Sequence, residues 1–330
     1  MTWDVIGHDW AVKLLRGHIL QSALRHAYLV TGPTGIGKKI LAVRFIQAIN
    51  CKDPAEPGIP CGICQNCKRI NRLEHPDLFP IAVEEESSQI KIDQVRELIH
   101  HLHLTPFEAS RKIGLLLNFE EANASAQNAL LKTLEEPPGK AILILTAKTA
   151  SSLLETISSR CEEIRLHPVP ISTISKGLEL KHGIPADQAS FLSHISGGNP
   201  ELALHYHQSP EAQELRETLL NDHLQIVQSN AVNRFLYAAK YEKDPRMVQK
   251  IISIWSSLWH DILLQTGKSQ APLQNIDRAE EIERFVSRVN ISTAKETLDH
   301  FRRAHSLLQD NANLKLTFED LLLQLPRIEI

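Results

Sequence analysis

In the first half of the chain, short apolar runs alternate with longer stretches in which apolar residues recur every three or four positions. The runs at residues 27–30, 78–81, 113–117, 141–146 and 163–166 predict strands. The stretches at 92–104 and 124–134 predict amphipathic helices. Such alternation is the pattern of an α/β domain built on a mainly parallel sheet. His167-Pro168-Val169-Pro170 interrupts it, and the prolines favour an extended linker. A small helical unit is then expected over 171–206, containing the turn Gly197-Gly198-Asn199-Pro200. After Gln208-Ser209-Pro210 the apolar spacing is helical to the end, as in Leu215, Leu219 and Leu220 and in Ile251, Ile252, Trp255, Leu258 and Trp259. No internal repeat or low-complexity tract is found. The division expected is 1–166, 167–208 and 209–330.

Composition adds few constraints. A chain of 330 residues with 42% hydrophobic and 23% charged residues is ordinary for a globular protein. A formal charge of −3 argues against a basic coat for tight nucleic-acid binding, though not against a local patch. Met1-Thr2-Trp3-Asp4-Val5 lacks the basic and apolar regions of a signal peptide, and no apolar run approaches the ~20 residues of a membrane helix. A cytoplasmic location, with no membrane partner, is the expectation.

Between the first predicted strand and a helix-like segment lies Gly32-Pro33-Thr34-Gly35-Ile36-Gly37-Lys38-Lys39. Strand, glycine loop and helix form the context of a phosphate-binding loop. Glycines let backbone N–H groups approach phosphates, the helix N-terminus favours an anion, and Lys38 can reach the outer phosphates. The last position departs from the pattern. A Ser or Thr there would give Mg²⁺ a hydroxyl, whereas the ammonium of Lys39 has no lone pair to offer.

Four of the five cysteines cluster as Cys51-x9-Cys61-x2-Cys64-x2-Cys67. In a reducing compartment this spacing points to metal ligation, and four thiolates suit tetrahedral Zn²⁺. With every ligand supplied by the protein, such a zinc would be structural.

The segment Asn128-Ala129-Leu130-Leu131-Lys132-Thr133-Leu134-Glu135-Glu136-Pro137-Pro138 resembles bacterial DNA polymerase III clamp-loader subunits, an AAA+ family. Thr156-Ile157-Ser158-Ser159-Arg160-Cys161 is similar to that family's Ser-Arg-Cys motif. The phosphate loop, the cysteine module, His75-Pro76-Asp77, residues 92–98 and residues 311–323 follow in the family's order. The resemblance implies a RecA-like AAA+ core, a small helical lid and an all-α C-terminal collar that joins subunits in a ring. Implied partners are the gamma/tau motor subunits and the delta subunit in a hetero-pentamer, with the β sliding clamp and primer-template DNA engaged through the complex.

Active motors of this family carry an Asp and a Glu at the end of the strand before the Asn-Ala-Leu-Leu-Lys segment. Aligned on Asn128, those positions are Leu117 and Asn118, which supply no negative charge. Glu120 and Glu121 follow too late to be obvious substitutes. The family's sensor arginine falls at Glu201, whose charge would repel a γ-phosphate. With Lys39, three parts of the phosphate machinery are altered. Arg160 is retained and, by resemblance, is a finger acting in trans on a neighbour's ATP; the structural alternative pairs it with Glu162 or Glu163. The resemblance therefore implies the rigid, non-hydrolysing end subunit of the ring, holding ATP or ADP without turning it over. Two alternatives stay open: an active AAA+ ATPase, and a zinc-dependent nucleic-acid-binding module with a vestigial phosphate loop.

Other features have plainer readings. Among His100, His101 and His103 only the first and third share a helix face, which suits a solvated face better than a metal site. Cys161 is expected to behave as a small apolar residue. Trp255 and Trp259, one helical turn apart, are expected to pack. Arg111-Lys112 simply flanks a strand.

Overall fold

In the computed structural model the described residues are 3–328, apart from 55, 85, 86, 88 and 311. Asn311, where the last family-like segment begins, thus lies outside them. The chain divides into two compact units, Met1–Ile184 with Gly198–Glu201, and Pro185–Gly197 with Leu202–Ile330.

The first unit is built on five parallel strands: β1 (Ala27–Thr31), β2 (Leu78–Ile81), β3 (Lys112–Leu116), β4 (Ala141–Ala147) and β5 (Glu162–Arg165). Their order is β2-β3-β4-β1-β5, with Ala27 opposite Leu143, Tyr28 opposite Glu162 and Leu78 opposite Ile113. Every residue of β1, β3 and β4 is buried. Helices covering both faces of a parallel sheet require this, and it explains why the strands read as continuous apolar runs. The helices are α1 (Asp9–Leu20), α2 (Lys38–Asn50), α3 (Gln65–Asn71), α4 (Ile92–His103), α5 (Ala124–Glu135), α6 (Glu155–Ser158) and α7 (Ile171–His182). Gly114 in β3 has a packing reason: a Cβ there would stand 2.8 Å from Leu98 of α4 and 2.9 Å from Leu143 of β4. Because all five strands run the same way, their C-terminal ends share one edge, the edge at which open α/β sheets bind ligands.

The opposite edge is tied down by Asp77. Its buried carboxylate accepts from the amides of Phe107, Glu108 and Ala109 at 2.7, 2.8 and 2.8 Å, with Lys112 at 3.6 Å. Burial pushes this carboxyl up, but the amides and Lys112 outweigh it and hold it below the usual range. Asn50, ending α2, accepts from Ser110 Oγ at 2.8 Å and from the Arg111 amide at 3.3 Å. The residues leading into β3 are thereby fixed.

The second unit is helical: α8 (Ala186–Ile195), most of α9 (Pro200–Gln208), α10 (Pro210–Gln228), α11 (Ala231–Lys240), α12 (Pro245–Thr266), α13 (Ala279–Val286), α14 (Ile291–Gln309) and α15 (Leu314–Gln324). Trp255 and Trp259 on α12 are fully buried. Each also satisfies its ring N–H, Trp255 on the Leu219 carbonyl at 2.7 Å and Trp259 on His223 Nε2 at 2.8 Å. Total burial pulls His223 down to about 3, so it is neutral and can accept that bond. Buried Arg234 donates to the carbonyls of Leu322 and Leu325 at 2.8 and 2.6 Å, capping the end of α15. No described helix is long and apolar enough to cross a membrane.

Candidate functional site

The phosphate loop joins β1 to α2 at the ligand-binding edge. Gly32, Gly35 and Gly37 have φ values of 149°, 77° and 100°, which side chains with a Cβ rarely adopt. Pro33 and Thr34 are exposed, while Ile36 is buried beneath the loop. Lys38 is buried and folds back on its own loop, donating to the Gly32 and Pro33 carbonyls at 2.7 and 2.9 Å. Burial lowers the pKa of its ammonium, against the opposing pull of Glu120 and Glu201. Lys39, one residue on, is exposed, and its side chain makes no hydrogen bond or ion pair among the described residues.

By the family resemblance, the tip of β3 corresponds to the place of a motor subunit's acids. Leu117 follows the strand and donates its amide to the Ile81 carbonyl at 2.8 Å. Asn118 has left-handed backbone (φ 49°), is exposed, and donates its amide to Thr146 Oγ1 at 2.8 Å. Neither side chain brings a carboxylate to the edge. Glu120 and Glu121 sit in the short 3-10 turn beyond. Both carboxylate oxygens of Glu120 are buried without a partner, close enough for their charge to act on Lys38.

The segment Gly198–Glu201 lies on the phosphate loop. Asn199 Nδ2 donates to the Thr34 carbonyl at 2.8 Å, and the Glu201 amide donates to the Gly35 carbonyl at 3.2 Å. A Cβ on Gly35 would stand 2.5 Å from the Asn199 amide, so glycine is needed for contact as well as for φ. Glu201 thus belongs to the loop's electrostatic surroundings and brings a negative charge there.

One part of the site is invisible to motif reading. A cavity of about 350 Å³ is lined by Gly7, His8, Asp9, Trp10 and the His167–Pro170 segment with Thr173. His8 connects it to the phosphate loop through a 3.0 Å bond between Nε2 and the Ile36 carbonyl. Burial lowers the pKa of this imidazole. Its volume, its aromatic and proline walls and its place beside the loop suit a nucleotide base. The only sequence hint was the proline pair, which reads as a linker.

The four predicted metal ligands come together. The sulfurs of Cys51, Cys61, Cys64 and Cys67 all lie within 4.8 Å of one another, with Cys51–Cys61 at 3.5 Å and Cys61–Cys67 at 4.0 Å. Thiolates around tetrahedral Zn²⁺, with Zn–S near 2.3 Å, stand about 3.8 Å apart. The amides of Cys61, Cys64 and Cys67 point at the sulfurs of Cys51, Cys61 and Cys64 at 3.3–3.5 Å, the kind of support that holds ligands in place. Cys64 caps α3, and Gly62 takes φ 73° in the turn between ligands. The arrangement can hold one metal ion.

Arg160 follows α6 and is partly exposed. Its guanidinium donates to Glu135 Oε1 at 2.7 Å and to the Thr156 carbonyl at 2.9 Å. The partners anticipated by the structural alternative are engaged elsewhere: Glu162 lies 3.8 Å from Arg25, and Glu163 accepts from Thr31 Oγ1 at 2.8 Å. His100 and His103 are exposed, whereas His101 packs at the sheet edge with Nε2 3.0 Å from the Pro76 carbonyl. Cys161 is half-buried against the core, and burial pushes its thiol up to about 12.

A phosphate loop at the C-terminal edge of a five-stranded parallel sheet, with helical segments after it, defines a P-loop protein of the AAA+ type. Two family models match the chain, "DNA polymerase III, delta subunit" over residues 7–170 and "DNA polymerase III, delta subunit, C terminal" over 210–327. Over 186 residues it is 39% identical to the DNA polymerase III subunit delta-prime of Pseudomonas aeruginosa, covering 55% of this chain and 56% of that protein. It is 31% identical over 190 residues to the delta-prime subunit of Bacillus subtilis, covering 58% and 56%. Against the tau subunit of Escherichia coli the figures are 32% over 179 residues, 53% and 27%. The match spans little more than half the length of the delta-prime relatives. The chain belongs to the DNA polymerase III clamp-loader family, and within it resembles the delta-prime subunit.

Proposed function

We propose that this chain is the delta-prime subunit of a bacterial clamp loader and acts there as a non-hydrolysing stator. The observation that carries the reading is the tip of β3, where Leu117 and Asn118 leave the phosphate edge without a carboxylate on the strand. A metal-bound nucleotide there would lack the anionic partner that places its Mg²⁺ and the base that orients water. Glu201 beside Gly35 and the solvent-facing Lys39 support the same conclusion. ATP or ADP would be held by residues 32–39 with its base in the cavity at His8 and Trp10, and released unchanged.

In this reading the core (1–166), the lid (167–208) and the collar (209–330) serve a hetero-pentameric ring with gamma/tau motor subunits and a delta subunit. In the cytoplasm the ring loads the β sliding clamp on primer-template DNA. Arg160 is the finger this chain offers to a neighbour's ATP, where such a group is worth ~10³–10⁵ in rate. The metal is structural zinc. The test is ATP turnover by the purified chain and by the reconstituted ring, with and without clamp and primed DNA. No turnover by the chain alone, with loss of ring turnover in Arg160→Ala, is the expected result. Motor-like turnover by the isolated chain would overturn the stator.

One observation favours the rival reading of an active ATPase, namely the unpartnered carboxylate of Glu120 near Lys38. Intrinsic turnover abolished by Glu120→Gln would establish it.

A further inference from the structure

We propose that Glu135 is a positioning residue for the Arg160 finger, holding its guanidinium ready for a neighbouring subunit's phosphate. The inference rests on the finger reading above and adds to it the group within this chain that aims the finger.

Glu135 is the last residue of α5, with Glu136 following as its cap. Carboxylates there face the negative end of the helix dipole, where a cation would be favoured. Among the described residues, Arg160 is the one cation within ion-pair distance of Glu135, at 2.7 Å. The pair does not depend on itself for its geometry. The Gln127 side chain of α5 accepts from the Leu154 amide that opens α6 at 3.0 Å, and Ile157 of α6 is fully buried. The first turn of α5 is therefore tied to the start of α6 by a contact separate from the ion pair.

A guanidinium carries five N–H donors. Glu135 takes one on Nη2 and the Thr156 carbonyl one on Nη1, which leaves three for a phosphate. The long side chain of an unrestrained arginine would have to lose rotamer freedom in the transition state, and here part of that loss has already occurred. The pair is too exposed to act as a lock, since Arg160 and Glu135 side chains are 36% and 52% accessible and such pairs are weak in water. A phosphate bearing several charges can draw the guanidinium forward without first breaking a strong bond.

The experiment uses the full chain assembled with its motor and delta subunits, and measures kcat and KM for ATP hydrolysis. The chains compared are wild type, Glu135→Ala, Glu135→Gln, Arg160→Ala and the double variant Glu135→Ala/Arg160→Ala. Loss of pre-orientation should lower kcat by about three- to ten-fold in Glu135→Ala with KM unchanged. Glu135→Gln, which keeps an acceptor without the charge, should fall between. In the Arg160→Ala background Glu135→Ala should have no further effect, because its target is gone. Size-exclusion chromatography checks ring assembly, and if Glu135→Ala fails to assemble the isosteric Gln variant carries the comparison. A kcat equal to or above wild type, or an equal loss in both backgrounds, overturns the inference while leaving the finger intact. Unchanged hydrolysis in Arg160→Ala sinks the finger and the inference together.

Discussion

The backbone amide of Glu201 donates to the carbonyl of Gly35 at 3.2 Å. Its carboxylate shares the surroundings of the phosphate loop and acts on Lys38, at the position that the family resemblance aligns with a motor subunit's arginine. Replacing Glu201 with Arg exchanges repulsion of a phosphate for attraction. The expected outcome is tighter nucleotide binding by roughly ten-fold or more, read by titrating a fluorescent ADP analogue at fixed ionic strength. No gain in affinity would show that Glu201 does not act on the phosphate region.

Metal is expected at one zinc per chain by elemental analysis. Cys67→Ser should lose it and lower the melting temperature, because a structural zinc contributes directly to folding of the segment that binds it. Full metal content in that variant would mean that the buried Cys67 sulfur is not a ligand.

Asp77 makes a strong stability prediction. The three amide bonds and the Lys112 ion pair are lost in Asp77→Ala, leaving part-buried N–H groups without their acceptor and the buried Lys112 ammonium without its carboxylate. Destabilisation of about 3 kcal/mol or more is expected from urea denaturation. Its carboxyl pKa is depressed on folding, so this stabilisation is complete above the unfolded value and disappears as pH falls through the folded one. A loss under 1 kcal/mol, on the order of a surface ion pair, would contradict the assignment.

His223 predicts acid sensitivity in the helical unit. Its pKa falls from 6.5 to about 3 on folding, so unfolding takes up a proton wherever the pH lies between those values. Stability is therefore full above about 6.5 and declines as pH drops toward 3. His223→Leu should flatten that slope in denaturant melts between pH 7 and pH 4.5, while losing the bond to Trp259. A slope unchanged by the substitution would assign the acid sensitivity to other groups.

The sheet was legible because burial on both faces makes each strand an uninterrupted apolar run. Residues 78–81 were predicted to the residue, and the other four strands are displaced by no more than one residue at either end. The convergence of the four cysteines and the left-handed glycines of residues 32–37 were equally plain, since each is local geometry. What pattern reading could not supply was convergence between distant segments. The cavity between His8 and the His167–Pro170 segment, the bond from Asn199 to Thr34 and the pairing of Arg160 with Glu135 join residues 25 or more positions apart. Glu162 and Glu163 were the obvious partners for Arg160 in sequence. They are strand residues held by Arg25 and Thr31, while the end of α5 supplies the nearer carboxylate.

Glu108 ties two neighbours together at the far end of the sheet, Lys52 at 3.1 Å and Arg69 at 2.9 Å. These contacts, with those of Asp77 and Asn50, hold the cysteine module where β3 begins. The phosphate loop lies where β1 ends, and the thirteen residues of α2 separate the two by about 20 Å. The cysteine cluster and the phosphate loop thus lie at opposite ends of α2, so a chelator and a phosphate analogue are expected to perturb different amides in hydrogen exchange. On the proposed reading these are two separate points of failure, one that decides whether the chain stands and one that decides what it holds.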